Sequence, residues 1–379
     1  MTDFLDLQKA LYPDISQKYD EFNDLYNRRL WHQLSISLES FLNDISNKRD
    51  DNYIKLYDEF ISKFEARLSP THLAQLVSII GHSYDDNNNA LNFFNKVLNA
   101  RTRLGLEASL CIDMDVVLVK LKVGMTDEVK VMLDEAKTKL ATISSNETIV
   151  YSKFYRSQSE YLKCVGPPQD FYKAALMFLA YTPVESLPQA QKYMLATDMA
   201  LASITGDDIF NFGEVIATPI LNCLQGTPNE WLRELVFALN KGDIDGFNTI
   251  VDTYSKQYFA QPFLAAKHEF VKRKIVLLCL MNIAFEKHSH VRTLTFASIA
   301  ARTKIPVDQV EWVLMKAMSL GLIKGSIDEV EQTVSITWVQ PRVLDKEQLS
   351  LVRDQIDDWT KRVKSAVNTM KDQTAELLA

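Results

Sequence analysis

Apolar residues recur at steps of three and four positions from about residue 14 to residue 199, as they do in amphipathic helices. The clearest set is Ile54, Tyr57, Ile61, Phe64 and Leu68, which falls on one helical face. Turn-forming residues interrupt the pattern about every 20 residues, among them Pro70, Gly105 and Pro168. Two helices per roughly 40 residues is the unit length of an α-solenoid. Because no tetratricopeptide or ankyrin consensus is present, an irregular helical domain remains the alternative.

A second pattern covers residues 292–341, where two short helical segments are followed by two alternating ones. Thr295 is expected to cap the first helix, and residues 307–320 are expected to form the second after a short turn. The residues of the second helix expected to face inward are Val310, Val313, Leu314, Ala317 and Leu320. Residues 322–327 and 333–339 alternate between apolar and polar side chains, which predicts a two-stranded hairpin. A helix-turn-helix followed by a hairpin is the order of elements in a winged helix.

The last segment follows a heptad pattern. Its apolar residues are spaced alternately by three and four positions with charged residues between them, which predicts one face of a coiled coil. A helix over residues 345–377 would be about 50 Å long, longer than the small module before it, so we expect other helices to cover much of this face. A helix folded back on its own solenoid remains the alternative. The predicted seam consists of Leu349, Val352, Ile356, Trp359, Val363, Ala366 and Met370.

Together these patterns predict a mainly α-helical fold: an N-terminal α-solenoid of helical hairpins, a winged-helix module with a small β-hairpin, and a long C-terminal helix. The 11 glycines and 11 prolines among 379 residues are few, as such a fold requires. A dense apolar run at residues 263–285 predicts a buried helix at the junction. The predicted domains are residues 1–165 (helical repeats), 166–341 (helical part 166–290, winged helix 291–341) and 342–379 (C-terminal helix).

Charge and composition narrow the function. The net charge of −7 argues against general affinity for nucleic acid or an anionic membrane, since both need clustered lysine and arginine. No segment is apolar and uncharged over the length of a membrane span, and residues 1–13 have neither the basic start nor the apolar core of a signal peptide. Four widely separated cysteines on apolar stretches are expected to be reduced thiols in the core.

The charges of the predicted winged helix indicate whether it is suited to bind DNA or protein. Residues 291–340 contain five basic and five acidic residues. A DNA reader needs surplus positive charge on its second helix, so contact with protein through the hairpin edge and this helix is the stronger hypothesis and DNA binding the weaker one. The outward positions of that helix carry a net charge of −1: Asp308, Gln309, Glu311, Lys316 and Ser319.

The usual enzyme signatures for nucleotide binding, serine hydrolysis and zinc proteolysis are absent. One near match is His288-Ser-His290 followed by Ser298, which reproduces most of the H-x-H-x7-S-x2-D pattern of zinc isopeptidases. The aspartate position holds Ala301, and two imidazoles alone neither fix tetrahedral geometry nor hold zinc tightly. We therefore expect no catalytic residue, no metal and no cofactor.

Three segments of the chain resemble the PCI family, the scaffold subunits shared by the proteasome lid, the COP9 signalosome and translation initiation factor 3. They are residues 322–342 (LIKGSIDEVEQTVSITWVQPR), 206–214 (GDDIFNFGE) and 29–34 (RLWHQL). The sequences of these segments are most similar to those of the proteasome lid members. A subunit of one of the other two complexes remains the alternative. This resemblance implies a non-catalytic scaffold for ubiquitin-dependent protein degradation, present in cytoplasm and nucleus.

The resemblance also implies partners. The winged helix would join neighbouring PCI subunits, and the tail helix would enter a bundle of C-terminal helices from the lid subunits. Expected neighbours are an adjacent PCI subunit, a metalloprotease heterodimer and a ubiquitin receptor with a von Willebrand A domain, in a hetero-oligomer without nucleic acid or membrane. The seam is expected to be buried in the bundle, and the residues expected to contact the adjacent subunit are Lys316, Lys324, Thr333, Ser335 and Thr337.

Overall fold

The computed structural model describes residues 7–9, 16–44, 52–99, 101–143, 147–286, 293–344 and 346–373. The fold is mainly α-helical and divides into two compact units, residues 1–183 and 184–379. The first unit contains α1 (Ser16–Asn27), α2 (Trp31–Asn43), α3 (Asn52–Glu59), α4 (Pro70–Gly81), α5 (Asn87–Leu98), α6 (Arg101–Val123), α7 (Thr126–Thr142), α8 (Thr148–Val165) and α9 (Pro168–Tyr181), with 3-10 turns at Ile61–Lys63 and Glu65–Arg67.

Helices of the first unit pack in an order that follows the chain. Helix α6 contacts α4, α5, α7 and α8, and α8 in turn contacts α7 and α9. Packing of each helix on the next and on the next but one is the arrangement of an α-solenoid, which confirms the predicted helical repeats. Several predicted turns are confirmed as well, because Pro70 and Pro168 open helices and Gly105 bends α6 with a φ of +73°.

The second unit begins with a 3-10 turn and ends with the tail helix. Its helices are α10 (Gln189–Thr205), α11 (Gly213–Ala217), α12 (Glu230–Lys241), α13 (Ile244–Thr253), α14 (Ser255–Ala260), α15 (Pro262–Ala266), α16 (His268–Glu286), α17 (Phe296–Thr303), α18 (Val307–Ser319) and α19 (Lys346–Gln373); the strands are β1 (Thr293–Thr295), β2 (Ile323–Asp328) and β3 (Thr333–Val339), and 3-10 helices lie at Val184–Ser186 and Pro219–Leu224.

Helix α16 forms the centre of the second unit. Eleven of its residues are buried, and it contacts α12, α13, α17, α18 and β3. This confirms the predicted buried helix at the junction, although the apolar run is divided because residues 262–266 form the separate helix α15. Gly242, which ends α12 with a φ of +62°, lies so close to α16 that a Cβ atom would be 2.7 Å from the Cα of Cys279.

The winged helix has three strands, not the two that the sequence predicted. Strand β3 is central and pairs antiparallel with β2 on one side and with β1 on the other. The missed strand β1 is only three residues long, too short for an alternating pattern to reveal it. It ends at Thr295, whose hydroxyl oxygen accepts a hydrogen bond from the Ser298 amide and caps α17 as expected.

Candidate protein-contact site

The apolar face of the C-terminal helix is exposed. Helix α19 has 28 residues, which makes it about 42 Å long at 1.5 Å per residue. Along it, Ile356 is 56% and Trp359 67% exposed, and every other seam residue is exposed except the half-buried Val352. Within the second unit, the described residues therefore leave this seam largely uncovered.

Two ion pairs form between charged residues of α19 itself, beside its apolar seam. Arg353 pairs with Asp354 at 2.9 Å and Arg362 pairs with Asp358 at 3.4 Å, so both ion pairs form within the helix itself. Such exposed pairs contribute little stability, but they occupy charged groups that would otherwise need partners on a neighbouring helix. What remains is an apolar strip with the three- and four-residue spacing that packs knobs into holes. The strip is suited to contact with other helices.

Two predicted contact residues lie together on the outer face of the wing. Lys324 of β2 and Thr337 of β3 are both exposed, and the Thr337 hydroxyl donates a hydrogen bond to the Lys324 carbonyl oxygen at 3.1 Å. The Lys324 ammonium lies 5.0 Å from the ring centroid of Trp338, within the range of a cation–π contact. The structure therefore presents a cation and an aromatic ring side by side on this face.

Thr333 and Ser335 are placed differently from Lys324 and Thr337. Both belong to the central strand β3 and are half-buried, since β1 pairs with this part of the strand. The Ser335 hydroxyl lies 3.2 Å from the hydroxyl of Thr293 in β1, and the two share a hydrogen bond. The Ser335 hydroxyl is thus already engaged within the sheet, which leaves less of it accessible to a partner.

Helix α18 offers a third surface, and its most prominent residue is one that sequence reasoning missed. Trp312 is 71% exposed, although the apolar set assigned to this helix named only inward positions. Beside it a groove of about 470 Å³ runs between α16 and α18. Three cations, Lys272, Arg273 and Lys316, stand around an apolar floor; the lining is completed by Val276, Leu277, Ile305, Gln309, Trp312 and Val313.

A metal site finds no support in the described residues. No three histidine, cysteine, aspartate or glutamate side chains come together there. His288 and His290 lie outside the described residues, and the Ser298 hydroxyl donates to the Thr295 carbonyl oxygen at 2.8 Å within the first turn of α17. Among the described residues, no helix has the length and apolar character that crossing a bilayer requires.

The thiols follow the sequence prediction only in part. Cys111 and Cys279 are buried, but Cys164 is exposed and Cys223 is half-buried, so the expectation of four core cysteines is wrong for these two. Burial raises the pKa of the Cys111 thiol to about 11. It is therefore protonated and unreactive near neutral pH.

Two family models match the chain: PSD13 N-terminal repeats over residues 18–236, and the PCI domain over residues 251–338. Similar proteins cover nearly all of it. The 26S proteasome non-ATPase regulatory subunit 13 homolog A of Arabidopsis thaliana is 35% identical over 99% of this chain and 98% of the relative. For the 26S proteasome non-ATPase regulatory subunit 13 of Dictyostelium discoideum the identity is 30% over 100% and 98%. For the 26S proteasome regulatory subunit RPN9 of Saccharomyces cerevisiae it is 30% over 95% and 93%.

Proposed function

The chain belongs to the family of 26S proteasome non-ATPase regulatory subunit 13, and from that membership we propose that it enters the lid by burying the seam of α19 in a helical bundle. As a member of this family it is a non-catalytic regulatory subunit with a PCI domain and a scaffold role. Its work in ubiquitin-dependent degradation then consists of holding other subunits in place. We assign it to the cytoplasm and the nucleus on the same ground.

One observation carries the proposal: seven apolar residues of a long helix form one strip, and all of them except the half-buried Val352 are exposed. Each apolar residue in contact with water forgoes the roughly 25 cal/mol per Å² that burial would contribute. A helix of about 42 Å with such a strip gains this free energy when helices of other subunits cover it. A seam that contains both the large Trp359 and the small Ala366 favours a bundle of unlike helices over a pair of identical ones.

The winged helix would provide a second contact, with an adjacent PCI subunit. Trp312 and Lys316 on α18 and Lys324 and Thr337 on the wing are exposed and support this part of the proposal. An exposed tryptophan beside an apolar groove has the character of an interface hot spot. The metalloprotease heterodimer and the ubiquitin receptor with a von Willebrand A domain are the further neighbours that we propose.

The test places two carboxylates in the seam. The double variant Ile356→Asp with Trp359→Asp should fail to enter the lid, because burying unpaired charges in an apolar bundle costs several kcal/mol. The measurement is the amount of variant that co-purifies with a tagged second lid subunit from cells lacking the wild-type chain.

A matched control uses the opposite face of the same helix. Ser365→Asp with Asn368→Asp adds the same two charges at the same three-residue spacing, but at exposed polar positions. This variant should co-purify like the wild-type chain, and both variants should keep the wild-type thermal unfolding transition. Equal co-purification of seam variant and control would refute the proposed role of the tail.

A further inference from the structure

The loop segment Gly206–Glu214 follows α10, includes the first two residues of α11, and joins the core of the second unit to the base of the tail helix. It is one of the three segments that resemble the PCI family, but none of the contacts proposed above involves it. Its inner end is fixed by a lysine of α16. Its outer end contacts the irregular segment that precedes α19. These contacts form a continuous path from core to tail.

The inner end is held by the buried Lys274, which is only 1% exposed. Its Nζ atom donates hydrogen bonds to the carbonyl oxygens of Ser203 at 2.7 Å, Ile204 at 3.2 Å and Gly206 at 2.8 Å. These carbonyls belong to the C-terminal end of α10, where backbone oxygens lack partners within the helix and favour a positive charge. Lys274 therefore caps α10 and fixes the first residue of the loop.

Aromatic rings of the loop close around the same lysine. The Nζ atom lies 5.7 Å from the ring centroid of Phe210, 5.1 Å from that of Phe212 and 5.8 Å from that of Phe270 in α16. Ring faces at these distances attract a cation. A second lysine, Lys267, donates to the Thr205 carbonyl oxygen at 3.0 Å and to Asp207 at 2.9 Å. The loop is thus attached to the core along most of its length.

The outer end of the loop contacts Val343, three residues before α19 begins. The Val343 amide donates to the Asn211 side-chain oxygen at 3.2 Å, and the Asn211 amide group donates to Glu214 at 2.8 Å. Gly213 lies directly against the same residue, since a Cβ atom there would be 2.5 Å from the Val343 carbonyl oxygen. Only a residue without a side chain allows this approach.

Two other elements hold the same short segment. The Gln340 amide donates to the Leu322 carbonyl oxygen at 2.8 Å beside β2. The Arg342 guanidinium lies 5.3 Å from the ring centroid of Phe285 near the end of α16. Residues 340–343 are therefore fixed at three points by three different parts of the unit. A helix about 42 Å long magnifies any change at this base, since a rotation of about 20° would move its far end by roughly 14 Å.

We propose that the loop Gly206–Glu214 is a bracket that sets the direction of α19, with Asn211 and Gly213 as positioning residues and Lys274 as its anchor in the core. The inference rests on the proposed function, because the direction matters if α19 must meet a bundle. It concerns a property of the isolated chain, however, and can be tested without the lid.

The experiment measures the distance between spin labels by double electron–electron resonance in the full chain. Cys164 and Cys223 are replaced by serine, while the buried Cys111 and Cys279 remain. Labels are attached through Ser319→Cys at the end of α18 and Ser365→Cys in α19, both at exposed positions. The parent should give one narrow distance distribution, and Asn211→Ala with Gly213→Ala should broaden or shift it by on the order of 10 Å.

Two further variants separate positioning from general stability. Asn229→Ala removes a side-chain hydrogen bond of 3.4 Å to Thr197 elsewhere in the unit, and it should keep the narrow distribution. Asn211→Asp with Glu214→Gln exchanges the amide and the carboxylate but keeps an oxygen acceptor for the Val343 amide, so it should also remain narrow. If the double variant with Gly213→Ala does not fold, the single variant Asn211→Ala tests the proposal.

The outcomes distinguish this inference from the proposed function. A broad distribution in the parent, or an unchanged one in the Asn211 and Gly213 variants, would overturn the bracket even if seam variants fail to enter the lid. Conversely, normal incorporation of the seam variant would overturn the tail proposal and leave the measured distances as they are.

Discussion

Helices α16 and α19 belong to the same unit, and both carry apolar residues in every turn, but only α16 is buried. Eleven of its 19 residues lie in the core, whereas no described side chain of α19 is buried. The apolar residues of α16 surround the helix, and those of α19 form a single strip between charged faces. A helix of the first kind is covered by its own domain around most of its circumference, and one of the second kind needs cover on one side only.

The largest expected effect comes from truncating equivalent aliphatic residues of the two helices. Leu278→Ala in the buried α16 should lower the free energy of unfolding by about 2–5 kcal/mol, because it removes packed methyl groups and leaves a cavity. Ile356→Ala in α19 should change it by no more than about 0.5 kcal/mol. Urea unfolding of the isolated chain measures both. Similar losses for the two variants would show that the seam is covered within the chain after all.

Trp312 tests whether an exposed residue outside the tail behaves as the seam does. Trp312→Ala should leave the unfolding transition unchanged but weaken assembly by about 2 kcal/mol, as loss of an interface hot spot would. Competition between variant and wild-type chains for incorporation into the lid measures this, with the exposed Phe263→Ala as the control. Equal competition by both variants would remove α18 from the proposed contact surface.

The smallest expected effect is the change in the free energy of unfolding per pH unit that the buried Lys274 of α16 causes. Burial lowers the pKa of Lys274 to about 7, from 10.5 for an ordinary lysine. Between these pH values the unfolded chain binds more protons than the folded chain, so the free energy of unfolding should rise with pH. Relative to Lys274→Met, the wild-type chain should gain up to about 1.4 kcal/mol per pH unit above pH 7.

The pH experiment has a control in the other helix. Lys361→Met removes one lysine from an exposed position of α19, and it shows what loss of a positive charge does without burial. Denaturant unfolding at pH 7, 8 and 9 gives the differences. A difference between wild type and Lys274→Met that stays constant with pH would contradict the lowered pKa.

Sequence reasoning recovered the elements whose signals are local. The heptad spacing of Leu349 to Met370 predicted both the tail helix and its exposed face. The pair Gly242-Asp243 is typical of a helix end followed by the cap of the next helix, and the Asp243 carboxylate accepts a hydrogen bond from the Gly246 amide at 3.0 Å. The interface roles of the seam and wing residues stay predictions, as do the domain boundaries.

Sequence reasoning could not find contacts between distant residues. Asn211 and Val343 are 132 positions apart, and Lys274 meets carbonyls about 70 positions earlier. A lysine inside an apolar run is normally expected to reach solvent, and only the end of α10 beside it explains its burial. Family resemblance marked the segment from Gly206 to Glu214 without giving a physical reason for it. Leu320 was expected to face inward but lies exposed at the end of α18.

The short strand β1 has a consequence for how the wing can bind. Exposed sheet edges pair readily with other strands, and proteins avoid unwanted pairing by keeping edges short or irregular. Here one edge is three residues long, and the other, β2, is interrupted by a bulge at Lys324 and Gly325. Neither edge offers a long flat template for self-association. The proposed contact of the wing would therefore depend on its side chains and not on backbone pairing, and it would require a partner that is complementary in shape and charge.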